Sequence, residues 1–125
     1  LTLPSVTTVS VSNITTTTAI SGGNAISEKN SDITLKGVCW SKTTNPTIND
    51  SVTKNGNGNG DFTSSIKNLI PNTKYYLRAY ATNKLGTAYG NEVNFTTNTE
   101  VIEPTTPIFA KVIQAYYATF LTFLI

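Results

Sequence analysis

Apolar and polar side chains alternate along residues 75–82, and this stretch carries the clearest structural signal in the chain. One face of the pattern is apolar or aromatic and consists of Tyr75, Leu77, Ala79 and Ala81. The other face consists of Tyr76, Arg78, Tyr80 and Thr82. A period of two residues over this length is typical of a β-strand with one face against a core. The pattern therefore predicts a half-buried strand, with the second face turned outward.

A tight corner is predicted immediately before this strand. Pro71 fixes its own φ angle, and Asn72 tolerates backbone conformations that most residues avoid. Leu69 is expected to enter the corner from the preceding strand, since it ends a run of alternating apolar residues. The corner thus predicts two antiparallel segments that meet at Pro71.

Shorter alternating segments fill the rest of the first hundred residues. They are predicted as strands at residues 5–14, with a break near Val9, and at 15–26, 33–42, 51–54, 61–69 and 87–97. Bulges are predicted at Gly22-Gly23 and at Gly90, because glycine inside a strand commonly marks a kink or a close backbone approach. Short strands at even spacing with turn residues between them are typical of an all-β sandwich.

Within the predicted strand 33–42, Val38 and Trp40 are assigned to the core, with Trp40 as its large central side chain. Leu35 and Cys39 then lie on the outer face or under a neighbouring loop. Cys39 has no histidine to activate it, so we interpret it as an inert small hydrophobe.

Composition excludes several classes of function. The 125 residues suffice for one domain, and the net charge of +2 with scattered lysines offers no basic face for nucleic acid. Histidine is absent, which removes the common catalytic triads and dyads and the commonest metal ligand. The single cysteine cannot form an intrachain disulfide. We therefore expect no enzyme activity, no cofactor and no metal.

Residues 55–61 faintly resemble a calcium-binding loop, with side-chain oxygens at alternate positions. However, the loop lacks repeated carboxylates, and its twelfth position is Ile66 where a glutamate would be needed. A flexible hairpin loop is the preferred interpretation.

Several motifs together resemble the fibronectin type III-like modules that occur, often in tandem, in large bacterial surface and secreted proteins. They are Ser21-Gly22-Gly23-Asn24, Gly37-Val38-Cys39-Trp40-Ser41, Asn45-Pro46-Thr47, the strand 75–83 and Gly86-Thr87-Ala88-Tyr89-Gly90-Asn91-Glu92-Val93. The spacing Leu69-x-Pro71-x-Thr73-x-Tyr75 also resembles the corner of a fibronectin type III domain. The resemblance implies an immunoglobulin-like antiparallel β-sandwich of about seven strands over residues 4–97. It also implies a buried Tyr75 whose hydroxyl is hydrogen-bonded to backbone near Leu69, the tyrosine corner. The tryptophan lies on the third strand, not the second as in animal modules.

The end of the chain has a different composition. Residues 98–107 are predicted to be an extended linker, because each proline disfavours helix in the residue before it. Residues 108–125 are strongly apolar. Three interpretations are open for this tail: a membrane anchor, the truncated start of a further domain, or a non-native end.

The resemblance implies a non-catalytic spacer or adhesion module of a multidomain protein, located extracellularly or at the cell surface. Its expected partners are neighbouring domains of the same polypeptide, with membrane contact through 108–125 under the anchor interpretation. The alternative is a module that binds a polysaccharide or a surface protein through the outer face of residues 75–82. There, Tyr76 and Tyr80 flank Arg78 at strand spacing and would stack on a ligand.

Overall fold

The computed structural model describes residues 1–28 and 31–101, and within them the regular secondary structure is β throughout. The strands are β1 (Ser5–Thr8), β2 (Ala19–Ile26), β3 (Leu35–Ser41), β4 (Ser51–Val52), β5 (Gly60–Ile66), β6 (Lys74–Asn83), β7 (Gly86–Tyr89) and β8 (Val93–Thr96). No helix in these ranges is long and apolar enough to cross a membrane. Most of the predicted linker 98–107 and all of the tail 108–125 lie outside the described residues.

The strands form two antiparallel sheets, which confirms the predicted all-β sandwich. One sheet has the order β1-β2-β5. The other has the order β4-β3-β6-β7, and β8 also pairs with β6. The longest strand, β6, is the strand that the alternating pattern predicted, and it lies at the centre of the larger sheet.

The predicted last strand is split into β7 and β8 by a bulge. Tyr80 of β6 stands opposite Tyr89, whereas Leu77 stands opposite Val93. Three residues, 90–92, therefore face only two, 78 and 79, so one residue is extra. Gly90 lies in this interruption and donates its backbone N–H to the carbonyl of Ala79 at 2.8 Å. The predicted bulge at Gly90 is confirmed, and it accounts for eight strands where about seven were expected.

The first predicted strand ends at Thr8, which confirms the break expected near Val9. The bulge predicted at Gly22-Gly23 is absent from β2. Residue pairing between β2 and β5 runs unbroken from Ala19 to Ala25. The glycines are needed instead for close approach between chain segments. A Cβ on Gly22 would lie 2.0 Å from the Phe62 carbonyl oxygen, and one on Gly23 would lie 2.7 Å from the Ala79 side chain.

The core between the sheets is built from inward-facing residues of both. Its buried members are Ala19, Val38, Ile66, Leu69, Tyr75, Leu77, Ala79 and Phe95. Val38 is fully buried, as predicted. Trp40 packs against this cluster but is only partly buried, because its neighbour β4 is a two-residue strand at the edge of the sheet. The prediction of Trp40 as the central side chain is therefore wrong, and Trp40 lies at the margin of the core.

The chain enters and leaves the sandwich at opposite ends. At the N-terminal pole, the side-chain amide of Asn83 donates to the Thr2 carbonyl oxygen at 2.7 Å, which ties the first residues to the β6–β7 turn. At the C-terminal pole, the backbone N–H of Asn98 donates to the Thr15 carbonyl at 3.0 Å. The Asn98 carbonyl in turn accepts from Asn72 in the corner at 3.1 Å. Strand β6 runs from one pole to the other.

Candidate functional site

The corner before β6 is closed by the Tyr75 hydroxyl. Tyr75 is 5% exposed, and its oxygen accepts a hydrogen bond from the backbone N–H of Ile70 at 2.9 Å. Its ring stacks on Phe95 with centroids 5.7 Å apart. The predicted tyrosine corner is present, with Ile70 as the bonded residue where Leu69 was expected. Leu69 itself is buried in the core.

Thr97 fixes the same corner from the other side. Its hydroxyl donates to the Ile70 carbonyl at 2.6 Å and accepts from the backbone N–H of Thr73 at 2.9 Å. Pro71 and Asn72 form the turn itself, and Asn72 has a φ angle of 51°, a left-handed conformation that asparagine tolerates. The corner is therefore an anchoring site for the chain where it leaves the sandwich.

Tyr80 does not belong to an exposed outer face, and this part of the predicted ligand surface is wrong. Its side chain is 1% exposed, and its hydroxyl donates to the Thr53 carbonyl at 2.6 Å. Burial raises the pKa of the Tyr80 phenol. Across the strand pair stands Gly37, where a Cβ would lie 2.1 Å from the same Thr53 carbonyl oxygen. Because Gly37 has no side chain, the segment after β4 can approach the sheet and cover Tyr80.

Arg78 is held by the protein itself. Its Nε donates to the Pro46 carbonyl at 2.6 Å, and its guanidinium carbon lies 4.0 Å from the centre of the Tyr89 ring. The Tyr89 hydroxyl accepts from the backbone N–H of Ile48 at 3.0 Å. Arg78 and Tyr89 thus fasten the loop between β3 and β4 onto the outer face of the sheet.

Tyr89 was not among the predicted ligand residues. The β6–β7 pairing places it opposite Tyr80, diagonally across from Arg78 on the same face of the sheet. Of the three predicted ligand residues, Tyr76 keeps part of its ring at the surface, with Lys74 Nζ 5.3 Å from its centre. The structure does not bring Tyr76, Arg78 and Tyr80 together as one open platform. Ligand binding at Tyr76 and Arg78 stays a prediction.

Cys39 lies under the same loop, as one of the two sequence-based placements had it. It is fully buried, and its Sγ lies 3.5 Å from the carbonyl oxygens of Pro46 and Arg78. Burial raises the pKa of the Cys39 thiol to about 11, and the nearby Arg78 charge offsets only part of that shift. The thiol is therefore neutral and sequestered at physiological pH, which makes it a poor nucleophile.

Residues 55–61 are not a hairpin loop. Strands β4 and β5 belong to different sheets, so this segment crosses between them, and it is bonded to β3 on the way. Asn55 N–H donates to the Lys36 carbonyl at 2.7 Å, and Lys36 N–H donates to Gly56 at 2.9 Å. The Lys36 ammonium also donates to the Gly58 carbonyl at 3.0 Å. Within residues 1–28 and 31–101, no cluster of three or more histidine, cysteine, aspartate or glutamate side chains could hold a metal.

An open groove lies along the side of the sandwich where β4 and β5 leave the two sheets uncovered. It consists of two adjoining clefts of about 430 Å³ and about 340 Å³. Both clefts are lined by Trp40, Ser51 and Asn68. We call this feature the Trp40 groove. No pattern in the sequence indicates this groove, because it depends on how the two sheet edges are spaced.

Architecture and corner together define the class of protein: an antiparallel β-sandwich of the fibronectin type III type. Solved structures of other proteins have the same fold. The sixth fibronectin type III domain of human fibronectin type III domain containing protein 3 matches with a TM-score of 0.54 at 22% identity, covering 81% of this chain and 86% of that domain. No family model matches the chain, and no curated protein matches it.

Two further similar structures come from different proteins. The sensor domain of the anti-sigma factor RsgI4 from Pseudobacteroides cellulosolvens matches with a TM-score of 0.56 at 20% identity, covering 80% of this chain and 99% of that one. The chicken CNTN1 FN1–FN3 domains match with a TM-score of 0.58 at 17% identity, covering 78% of this chain and 32% of that one. The TM-scores of 0.54, 0.56 and 0.58 show a shared fold, and the chain has a fibronectin type III-like fold.

Proposed function

We propose that this chain contributes a non-catalytic spacer and adhesion module to a multidomain extracellular bacterial protein. The observation that carries the proposal is the separation of the two poles. The first residues are bonded to the β6–β7 turn at Asn83, and the last described residues are bonded to the corner at Asn72. A domain with this geometry extends a polypeptide whenever copies or other domains are joined end to end.

The length added by each module follows from β6. This strand has 10 residues and runs from the C-terminal pole, where it begins at Lys74, to the N-terminal pole, where it ends at Asn83. At about 3.3 Å per residue, the two poles are roughly 33 Å apart. One module therefore moves the domain beyond it outward by about 30 Å.

Exposed apolar side chains at both poles support contact with neighbouring domains. Leu1, Leu3 and Leu85 are 60%, 44% and 51% exposed at the N-terminal pole. At the C-terminal pole, Ile70 and Val101 are 49% and 75% exposed. Apolar residues at the ends of a domain are suited to a small interface that stiffens the junction with the next one. The expected partners are thus the flanking domains of the same polypeptide.

Two features support the absence of catalysis in this proposal. The only thiol, Cys39, is buried with a raised pKa, and the sequence contains no histidine to act as a general base. Extracellular location is supported by the low charged fraction of 13% and by the resemblance to modules of bacterial surface proteins.

Small-angle X-ray scattering of one, two and three tandem copies of residues 1–101 tests the spacer proposal. The maximum dimension should grow by about 30 Å with each added copy. Replacing Leu3 and Leu85 with serine should leave each domain folded and make the array more flexible, because the junction loses apolar contact. Copies that fold back side by side, with no growth in maximum dimension, would contradict the proposal.

A further inference from the structure

The Trp40 groove has the form of a ligand site that is independent of the spacer geometry. Its two clefts adjoin at Trp40, and each has a volume within the usual range for small-ligand pockets, roughly 300–1,000 Å³. Trp40 packs its inner side on the core and is only partly buried. A large aromatic side chain, rigidly held from below, therefore lies where the two clefts meet.

Around this ring the lining is mainly neutral and polar. Asn49 and Ser51 come from the β3–β4 side, and Asn68 comes from the turn after β5. Asn49 is exposed, and its backbone N–H donates to the Thr47 hydroxyl at 3.2 Å. The two asparagines can each donate and accept hydrogen bonds across the cleft. Lys42 and Lys67 add two positive charges and Asp50 adds one negative charge, so the lining is close to neutral overall and does not select a strongly charged ligand.

We propose that the Trp40 groove binds a neutral oligosaccharide that spans both clefts. A sugar ring has an apolar face that can lie against an aromatic side chain, and its hydroxyls pair with amide and hydroxyl groups. The two adjoining clefts accommodate successive sugar units on either side of Trp40. This binding would turn the module from a passive spacer into one that adheres to glycan.

An extended peptide fits this groove less well. Peptides commonly bind by adding a strand to a free sheet edge. Here β4 is only two residues long, and the Thr63 carbonyl on β5 already accepts from the Asn55 side-chain amide at 3.0 Å. Neither edge therefore offers a continuous row of unpaired backbone groups. A nucleic acid is disfavoured by the mixed charge of the lining.

The chain contains one tryptophan, so intrinsic tryptophan fluorescence reports on Trp40 alone. The experiment titrates the full chain, residues 1–125, with hexasaccharides of glucose, xylose, mannose and N-acetylglucosamine. At least one of these probes should shift the emission to shorter wavelength with a saturating curve. No saturating change with any of the four at about 1 mM would overturn the proposal.

Matched variants locate the site. Asn68→Gly removes the amide and keeps the positive φ angle of 61° that this turn requires, and Asn49→Ala removes the second amide. Each should weaken the Kd about tenfold, the effect of losing one good hydrogen bond. Asn94→Ala, on the outer face opposite Tyr76, is the control and should bind like the parent. Equal affinity in Asn68→Gly, Asn49→Ala and the parent would overturn the assignment, even if a sugar binds.

Discussion

The corner hydroxyl offers the sharpest test of what holds the sandwich together. Replacing Tyr75 with phenylalanine keeps the ring that stacks on Phe95 and removes only the oxygen that accepts from the Ile70 N–H at 2.9 Å. The ring volume in the core is kept, and the removed hydroxyl belongs to a side chain that also lines an open cleft, so no large cavity term enters. Any loss of stability then reports the hydrogen bond.

The magnitude follows from the burial of the two partners. Removing one partner of a buried hydrogen bond costs roughly 1–3 kcal/mol. Ile70 is 49% exposed, so water can approach the turn once the phenol oxygen has gone. We therefore expect Tyr75→Phe to lower the free energy of unfolding by about 1–2 kcal/mol. For a domain of this size, this corresponds to a fall in Tm of about 5–15 °C.

Urea unfolding followed by tryptophan fluorescence measures the change, with the m-value expected to stay constant. Tyr76→Phe is the matched control, since Tyr76 is the adjacent tyrosine, is partly buried, and has its ring near Lys74 and not in the corner. It should stay within about 0.5 kcal/mol of the parent. Equal stabilities for Tyr75→Phe and Tyr76→Phe would refute the structural role of the corner hydroxyl.

Three further predictions concern other parts of the chain. Gly37→Ala should destabilise the domain by about 1–3 kcal/mol in the same urea assay, because the new Cβ would lie 2.1 Å from the Thr53 carbonyl oxygen; an unchanged midpoint would contradict the contact. Burial raises the pKa of Cys39 from 9.0 to about 11. The unfolded chain therefore loses this proton first as pH rises, so the stabilisation is complete below pH 9.0 and is lost as pH rises through about 11. Cys39→Ala should remove this fall in stability between pH 9.0 and about 11. The same pH dependence in the parent and in Cys39→Ala would contradict the prediction. Deleting 108–125 should change the free energy of unfolding, measured from melting curves, by less than about 1 kcal/mol and should improve solubility. A large loss of stability would show that the tail belongs to the core.

The parts of the fold that could be predicted are those set by local sequence. Strand β6 follows from the alternation over residues 75–82, and the corner follows from Pro71 and Asn72, which are adjacent in the chain. The bulge at Gly90 was also predictable, since a glycine interrupts a strand pattern there. Each of these depends on residues within about ten positions of one another, the range over which periodicity and turn chemistry act.

The parts that were missed depend on contacts between distant segments. The alternation placed Tyr80 on the outer face correctly, but it could not show that Thr53, 27 positions earlier, closes over the ring. The Arg78 side chain is likewise hydrogen-bonded to the carbonyl of Pro46, 32 positions away. The Trp40 groove arises from the spacing of two sheet edges. Sequence periodicity indicates which face of the sheet a residue lies on. Whether a distant segment covers that face depends on the tertiary structure.

The measurement that most directly tests the account is the distance between the two poles. Nitroxide labels at Leu3→Cys and Glu100→Cys, read by pulsed electron paramagnetic resonance, should lie roughly 30–45 Å apart, given the length of β6. Cys39 can remain in place because it is buried and has a raised pKa. The control pair Leu3→Cys and Lys84→Cys lies at one pole and should give less than about 20 Å. A distance below about 20 Å for the first pair would place both ends of the domain together and would contradict the spacer function.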